Sequence, residues 1–240
     1  FTDNLSGGVA LRFIYSNLTG GFYSGGEATK PGISFAADIS AYYHKDITLF
    51  SRDALMAFGA NFSNIGSKMN YSDSKTSDFI PMNMRLGTAF SVDLDRYNKI
   101  SVTLDLNKLL VPTPPYYSMT KPDSIIAGKD PDVAVPVAIF QSFIDAPDGL
   151  MEELREITYS AGAEYLYNNQ FALRAGYFHE NQTKGNRKYF TAGAGFKLRG
   201  FTLDFSYLMP LVQNHPLART LRFSLSFDIA TFGRSDASRT

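Results

Sequence analysis

The sequence predicts an all-β chain and, within that class, a transmembrane antiparallel β-barrel. Three observations predict it. Most of the chain alternates apolar and polar residues with period two, several alternating segments hold ten or more residues, and the connections between them sort into short and long by turns. By length, a 240-residue chain is one large domain or two small ones, and we expect a single barrel domain over 1–240 with a long insert at 109–155.

The alternation places ten strands near 8–17, 32–45, 54–64, 79–94, 98–108, 156–167, 170–180, 187–198, 201–210 and 218–229. The last is the cleanest: Leu221, Phe223, Leu225, Phe227 and Ile229 alternate with Arg222, Ser224, Ser226 and Asp228. Before it, Phe201, Leu203, Phe205, Tyr207 and Met209 share one face. Phe190, Ala192, Ala194, Phe196 and Leu198 do the same, as do Ile157, Tyr159, Ala161, Ala163, Tyr165 and Tyr167. A tilted strand of about ten residues at roughly 3.3 Å each covers on the order of 25 Å, the height of the apolar band of an outer-membrane barrel.

Short links are expected at Asp46 to Asp53, Asp95 to Tyr97, Asn168-Asn169 and Arg199-Gly200, and longer ones at 18–31, 65–78, 109–155, 181–186 and 211–217. In an antiparallel arrangement every short turn then falls at one end of the sheet, as in outer-membrane barrels. Alternation alone fits a soluble sandwich equally well. The polar face argues against that, being rich in Gly, Ala, Ser, Thr and Asn with scattered charges. Arg12, Asp38, Arg85, Asp93, Glu164, Arg174, Asp204, Arg222 and Asp228 have both signs and read as lumen residues that pair across a barrel. Aromatics near strand ends, such as Tyr15, Tyr42, Tyr43 and Tyr177, suit interfacial girdles.

Composition removes several function classes. Lys plus Arg equal Asp plus Glu at 23 each, so the chain lacks the basic excess of a nucleic-acid binder. It has no cysteine, so disulfides and thiol catalysis are excluded. No apolar run is long enough for a transmembrane helix. The start at Phe1, without Met or a signal-peptide pattern, suggests a mature form or a fragment. His44, His179 and His215 have no metal-site spacing, no phosphate loop or nucleophile elbow occurs, and no cofactor and no enzyme activity is expected. Glu164 and Asp204 read as partners of neighbouring arginines rather than as a catalytic pair.

The insert breaks the pattern. Pro112, Pro114 and Pro115 end the fifth strand, and Pro122, Pro131, Pro136 and Pro147 keep the remainder of the insert irregular. From Asp148 to Arg155 a short helix is expected, with Asp148 as its cap and Leu150, Leu154 and Ile157 on one stripe. The insert is either a docking surface or a fold-over whose apolar residues cover the barrel mouth.

Several strings carry a more specific signal. Leu104-Asp105-Leu106-Asn107-Lys108-Leu109-Leu110-Val111-Pro112-Thr113 resembles the strand-to-loop signature of the PorV (LptO) family. So do Tyr15 to Gly21, Ala163 to Tyr177, Gly185 to Thr191, Asn214 to Ala218 and Leu221 to Ser224, the resemblance running from about 8 to 230. It implies an outer-membrane protein of the type IX secretion system with a FadL-like barrel of fourteen strands. Ten are visible here, and the family's N-terminal mouth segment is missing, so the resemblance implies a truncated barrel; a closed ten-stranded one is the alternative. It also implies a cargo shuttle. Such a protein takes secreted proteins by their C-terminal signal domain from the translocon barrel and delivers them to the sortase and other attachment-complex proteins. Phe22, Tyr23, Tyr116, Tyr117, Phe140, Phe143 and Ile144, aromatic or apolar loop residues, are the candidate cargo or partner contacts, with packing on the rim as their plainer role. The rival expectation is a FadL-like transporter of fatty acids or other hydrophobic small molecules.

Overall fold

The computed structural model describes residues 2–17, 29–72, 77–121, 123–198, 200–212 and 220–228, and the backbone of 23–24 and 27–28. In chain order the elements are β1 (Leu5–Ser16), β2 (Tyr23–Ser24), β3 (Glu27–Ala28), β4 (Gly32–Leu49), β5 (Arg52–Gly66), β6 (Asn83–Asp93) and β7 (Asn98–Leu109). They continue with β8 (Tyr116–Tyr117), β9 (Ile125–Ala127), α1 (Val135–Gln141), α2 (Leu150–Arg155), β10 (Thr158–Tyr167) and β11 (Phe171–His179). The last are β12 (Lys188–Leu198), β13 (Phe201–Pro210) and β14 (Leu221–Phe227). All ten expected strands form, and they make one sheet in the order β1-β4-β5-β6-β7-β10-β11-β12-β13-β14. Among the described residues β1 and β14 are its end strands, and two small ribbons, β2-β3 and β8-β9, stand apart from it. No described helix is long and apolar enough to cross a membrane, which says nothing of crossing by strands.

The tight turns follow from local backbone chemistry. Asn168 and Asn169 both adopt positive φ, 50° and 52°, a conformation asparagine tolerates, and so reverse the chain between β10 and β11. Asp95 accepts hydrogen bonds from the Tyr97 and Asn98 backbone N–H groups at 2.8 and 3.0 Å, fixing the β6-β7 turn. Leu198 pairs directly with Phe201 across the β12-β13 turn, whose Arg199 lies outside the described residues. The link expected over Asp46 to Asp53 is much tighter: β4 runs on to Leu49, and Phe50 and Ser51 turn the chain with φ of 48° and 60°. The strand expected from 79 starts only at Asn83. Pro81 cannot donate to a ladder, and Ile80 and the fully buried Met82 turn into the core instead. Alternation does not predict the ribbon inside 18–31 either.

The chain divides into two units. The first comprises Phe1–Tyr43, Gly59–Leu86 and Leu106–Ile157 and holds the core. Ala36, Met69, Ile80, Met82, Leu110 and Ala138 are buried together there, with Val111, Val133, Val135 and Ile139 of the insert packed on them. In β4, Ser34, Ala36 and Asp38 are buried while Ile33, Phe35 and Ile39 are exposed, so alternation becomes two chemically distinct faces. Opposite them on β1, Val9, Leu11, Phe13 and Tyr15 are likewise bare, and Phe13 meets Phe35 with ring centroids 5.2 Å apart.

The second unit comprises His44–Phe58, Gly87–Asp105 and Thr158–Thr240. Its apolar face is a run of exposed aromatic cross-strand pairs: Phe171 with Phe196, Phe201 with Phe227 and Phe205 with Phe223, at 4.9, 5.3 and 5.3 Å. On the polar face Arg174 of β11 donates to Glu164 of β10 at 2.6 Å and also to Asp204 of β13. The second bridge must span β12, and Gly195 makes room for it. A Cβ there would stand 2.6 Å from the Asp204 carboxylate and 2.9 Å from the Arg174 guanidinium. The expected partnership of Glu164 and Asp204 with an arginine is therefore present, and it runs along the sheet from strand to strand. Arg12 and Asp38 pair in the same manner in the first unit, from β1 to β4.

After β11, Glu180 and Arg187 clip the loop that holds a 3₁₀ turn at Gln182–Lys184. Arg187 donates from Nε and Nη2 to the two Glu180 oxygens at 2.7 and 2.8 Å. These bonds hold the Glu180 carboxyl below the ordinary glutamate range. A lowered folded value means the clip's contribution is present above the unfolded glutamate value and disappears as pH falls through the folded one.

Two outcomes are expected. Gly195→Val should destabilise the protein by about 1–3 kcal/mol in a urea titration, through overpacking against the Arg174 bridge. Arg187→Met should flatten the acid limb of stability against pH that Glu180 gives the parent protein; an unchanged limb would assign it to other carboxyls.

Candidate functional site: the insert and its buried clasp

The insert between β7 and β10 is a folded body. Pro112, Thr113 and Pro115 are buried, and the β8-β9 ribbon pairs Tyr116 with Ala127 and Tyr117 with Ile125. Gly128 comes next at φ 91°, where a Cβ would stand 3.0 Å from Pro115 Cα and 3.2 Å from the Asp145 carbonyl oxygen. Only glycine lets the end of the ribbon approach the segment after α1 so closely.

The irregular stretch expected around Pro136 is in fact helix α1. Pro136 stands in the first turn, where a missing N–H costs nothing and a fixed φ suits the helix. Helix α2 forms where expected, but not with the expected cap. Its N-cap is Gly149, and the Asp148 N–H instead donates to the Glu152 carboxylate at 2.9 Å, the helix side chain reaching back. Leu150 and Leu154 point outward, 72% and 47% exposed, while Glu153 is buried.

Glu153 is buried because the interior offers it partners that a leucine could not use. Its Oε1 accepts the backbone N–H groups of Asp145 and Ala146 at 2.7 and 2.9 Å, and its Oε2 accepts from Lys108 Nζ at 2.9 Å. Lys108, 3% exposed at the end of β7, also donates to Glu156 Oε2 at 2.7 Å. The other Glu156 oxygen accepts from Thr113 Oγ1 at 2.6 Å, and the Thr113 N–H donates to Asp145 Oδ2 at 3.2 Å. One ammonium thus joins β7, the proline segment, the exit of α1 and α2. Burial, then the neighbouring Glu153 and Glu156 carboxylates, push the Asp145 carboxyl above its ordinary range, against the lowering effects of the Thr113 N–H and Lys108.

The seven candidate contacts do not share one setting. Tyr116 and Tyr117 lie on the ribbon, about half exposed. Phe140, on α1, and Ile144, just after it, are 76% and 67% exposed. Phe143 is the least open of the five described on the insert, its ring centroid 5.7 Å from Lys108 Nζ. Phe22 lies outside the described residues, and of Tyr23 only the backbone is described, paired with Ala28. Sequence spacing does not mark Lys108, Thr113, Asp145, Glu153 and Glu156 as a group. One signal is available: Lys108 continues the series Ile100, Val102, Leu104, Leu106 at a position where alternation calls for an apolar residue.

Elsewhere a cavity of about 420 Å³ on the second unit is lined by Arg174, Asp204, Tyr207 and Arg222 among others, both signs of charge together. Among the described residues no group of three or more His, Cys, Asp or Glu side chains is arranged to hold a metal ion.

An antiparallel sheet with bare apolar side chains in each unit, and an insert that leaves Tyr116, Tyr117 and Phe140 exposed, define a mostly β protein with unusually open apolar surface. The family model for the type IX secretion system protein PorV matches residues 1–116, a likeness over that stretch to a component of the type IX secretion machinery. No curated protein matches the chain.

Lys108→Met should be among the most damaging single changes to the insert. It leaves Glu153 and Glu156 without their cation, a loss of about 3–5 kcal/mol for a buried pair. Amide hydrogen exchange across 110–157 reads it as loss of protection, with the β11-β12 peptides unchanged.

Proposed function

We propose that this protein is an outer-membrane barrel component of the type IX secretion system. It binds secreted cargo through the cargo's C-terminal signal domain, then passes the cargo from the translocon barrel to the sortase and its attachment-complex partners. The carrying observation is the pairing of the PorV family match with an insert whose inner side chains are spent on packing while Tyr116, Tyr117, Phe140 and Ile144 stay exposed. Exposed aromatic and apolar residues on a rigid base lose little entropy on binding and are typical interface anchors.

The membrane assignment draws on the sheet. A face carrying Val9, Leu11, Phe13 and Phe35 in the open in the first unit, and one carrying Leu203, Phe205, Phe223 and Leu225 in the second, are costly in water and natural against lipid tails. Among the described residues each strand of the sheet has two hydrogen-bonded neighbours, as a bilayer requires, except the end strands β1 and β14. Those two edges favour a fourteen-stranded FadL-like barrel of which these ten strands are a part. In each unit the polar face carries an arginine–carboxylate bridge, Arg12 with Asp38 in the first and Arg174 with Glu164 in the second, which suits a charged interior better than a wholly greasy transport path.

The test is co-purification of the tagged full-length protein from native outer membrane in detergent, with mass spectrometry of the bound material. Cargo carrying type IX signal domains, together with translocon subunits, is the expected result. The double substitution Phe140→Ser, Ile144→Ser should cut cargo recovery about tenfold or more, the effect of losing one interface hot spot. Surface substitution is preferable to deleting 112–150, which would also remove Thr113, Ala138 and Asp145 from the packed interior. Recovery of fatty acids or other apolar molecules without any protein partner would replace this reading with that of a transporter.

A further inference from the structure

We propose that Asp145 is a proton-binding latch: the insert is clasped to β7 with Asp145 carrying a proton, and loss of that proton as pH rises loosens the insert. Hydrogen-bond geometry carries this. Asp145 is 1% exposed, and its Oδ2 accepts only the Thr113 N–H, while Oδ1, itself buried, meets no hydrogen-bonding partner among the described residues. A carboxylate holding a full negative charge in such a place is strongly disfavoured, and its neutral acid is the form that fits.

The surroundings sharpen this. From β7 comes Lys108, whose ammonium is already engaged by Glu153 and Glu156. From α2 and the residue after it come Glu153 and Glu156 themselves, each with both oxygens accepting hydrogen bonds. From the proline segment comes only the uncharged Thr113. One cation therefore serves two glutamate side chains, and a negative charge at Asp145 would have no cation of its own. The desolvation and the glutamate charges act in the same direction, raising the Asp145 carboxyl above its ordinary range.

Linkage sets the sign. The clasped state binds one more proton than the open state at every pH between the ordinary aspartate value and the raised one. Clasping is therefore strongest on the acid side of that window and weakens as pH rises through it, the opening equilibrium growing by roughly tenfold per pH unit. Above the raised value it changes no further. Thr113, Asp145 and Ala146 lie on the same covalent segments as Tyr116, Phe140 and Ile144, so opening the clasp also unsettles the base from which those exposed residues project.

The experiment uses the full chain in detergent. Infrared difference spectra between acid and alkaline buffer should show a protonated-carboxyl C=O band in the parent that Asp145→Asn lacks. In parallel, amide exchange over 110–157, corrected for intrinsic rates and referenced to the β11-β12 peptides, should speed by roughly tenfold per pH unit in the parent across the window. In Asp145→Asn that dependence should be flat. A parent spectrum without the band, or a pH dependence that survives in Asp145→Asn, overturns the proposal. If Asp145→Asn fails to fold, Asp145→Ser takes its place, and a band or a pH dependence that survives in it overturns the proposal.

Discussion

The register of the antiparallel ladder is the constraint on which the rest of the structure depends. With a side-chain period of two, a slip of one residue would exchange the two faces of a strand completely. Phe13 opposite Phe35, Phe205 opposite Phe223 and Arg174 opposite Glu164 all meet because the register is held, and each pair sits on the face its chemistry requires. The turns enforce it. Phe50-Ser51 and Asn168-Asn169 take left-handed backbone conformations, so the strands they join leave the turn already in phase. Gly195 extends the same logic into the third dimension, since a side chain there would close the path by which Arg174 reaches across a whole strand.

Where the ladder ends, the chain changes its means of stabilisation. The insert has only the small β8-β9 ribbon and two short helices, neither held by a side-chain cap, and helices so short do not persist alone. Its order comes from two sources on opposite sides of the same segments. Leu110, Ala138 and their neighbours supply apolar packing, while Lys108 with Thr113, Glu153 and Glu156 supplies a buried polar network. A buried network of this kind adds less to net stability than apolar packing of the same volume, but it admits few alternative arrangements. That is a reasonable division of labour for a segment without a repeating hydrogen-bond pattern to specify it.

How much of this is legible in the sequence differs sharply between sheet and insert. The strands are readable because alternation is a local property: Leu221 to Phe227 or Phe201 to Met209 declare their faces without reference to any partner. The turn at Phe50-Ser51 is legible only as a link somewhere within Asp46 to Asp53, because neither residue is one that normally adopts positive φ. Pro136 reads as a breaker because position within a helix, not identity, decides whether proline is tolerated. Leu150 and Leu154 read as one stripe, but periodicity registers apolarity alone and does not say which face is buried. It carries no information that Glu153 finds three hydrogen-bond donors inside. The buried cluster is invisible for the same reason: its members are separated by up to 48 positions and meet only when the insert has folded.

The clasp also has a mechanical meaning. Any partner drawn away from Phe140 or Ile144 pulls on the exit of α1, and that tension meets the Asp145 and Ala146 amides held by Glu153 before it meets slack chain. From Glu153 it passes through Lys108 into β7, a strand with a hydrogen-bonded neighbour on each side. The insert is thus a tether with a stiff attachment, able to transmit a tug to the sheet instead of dissipating it.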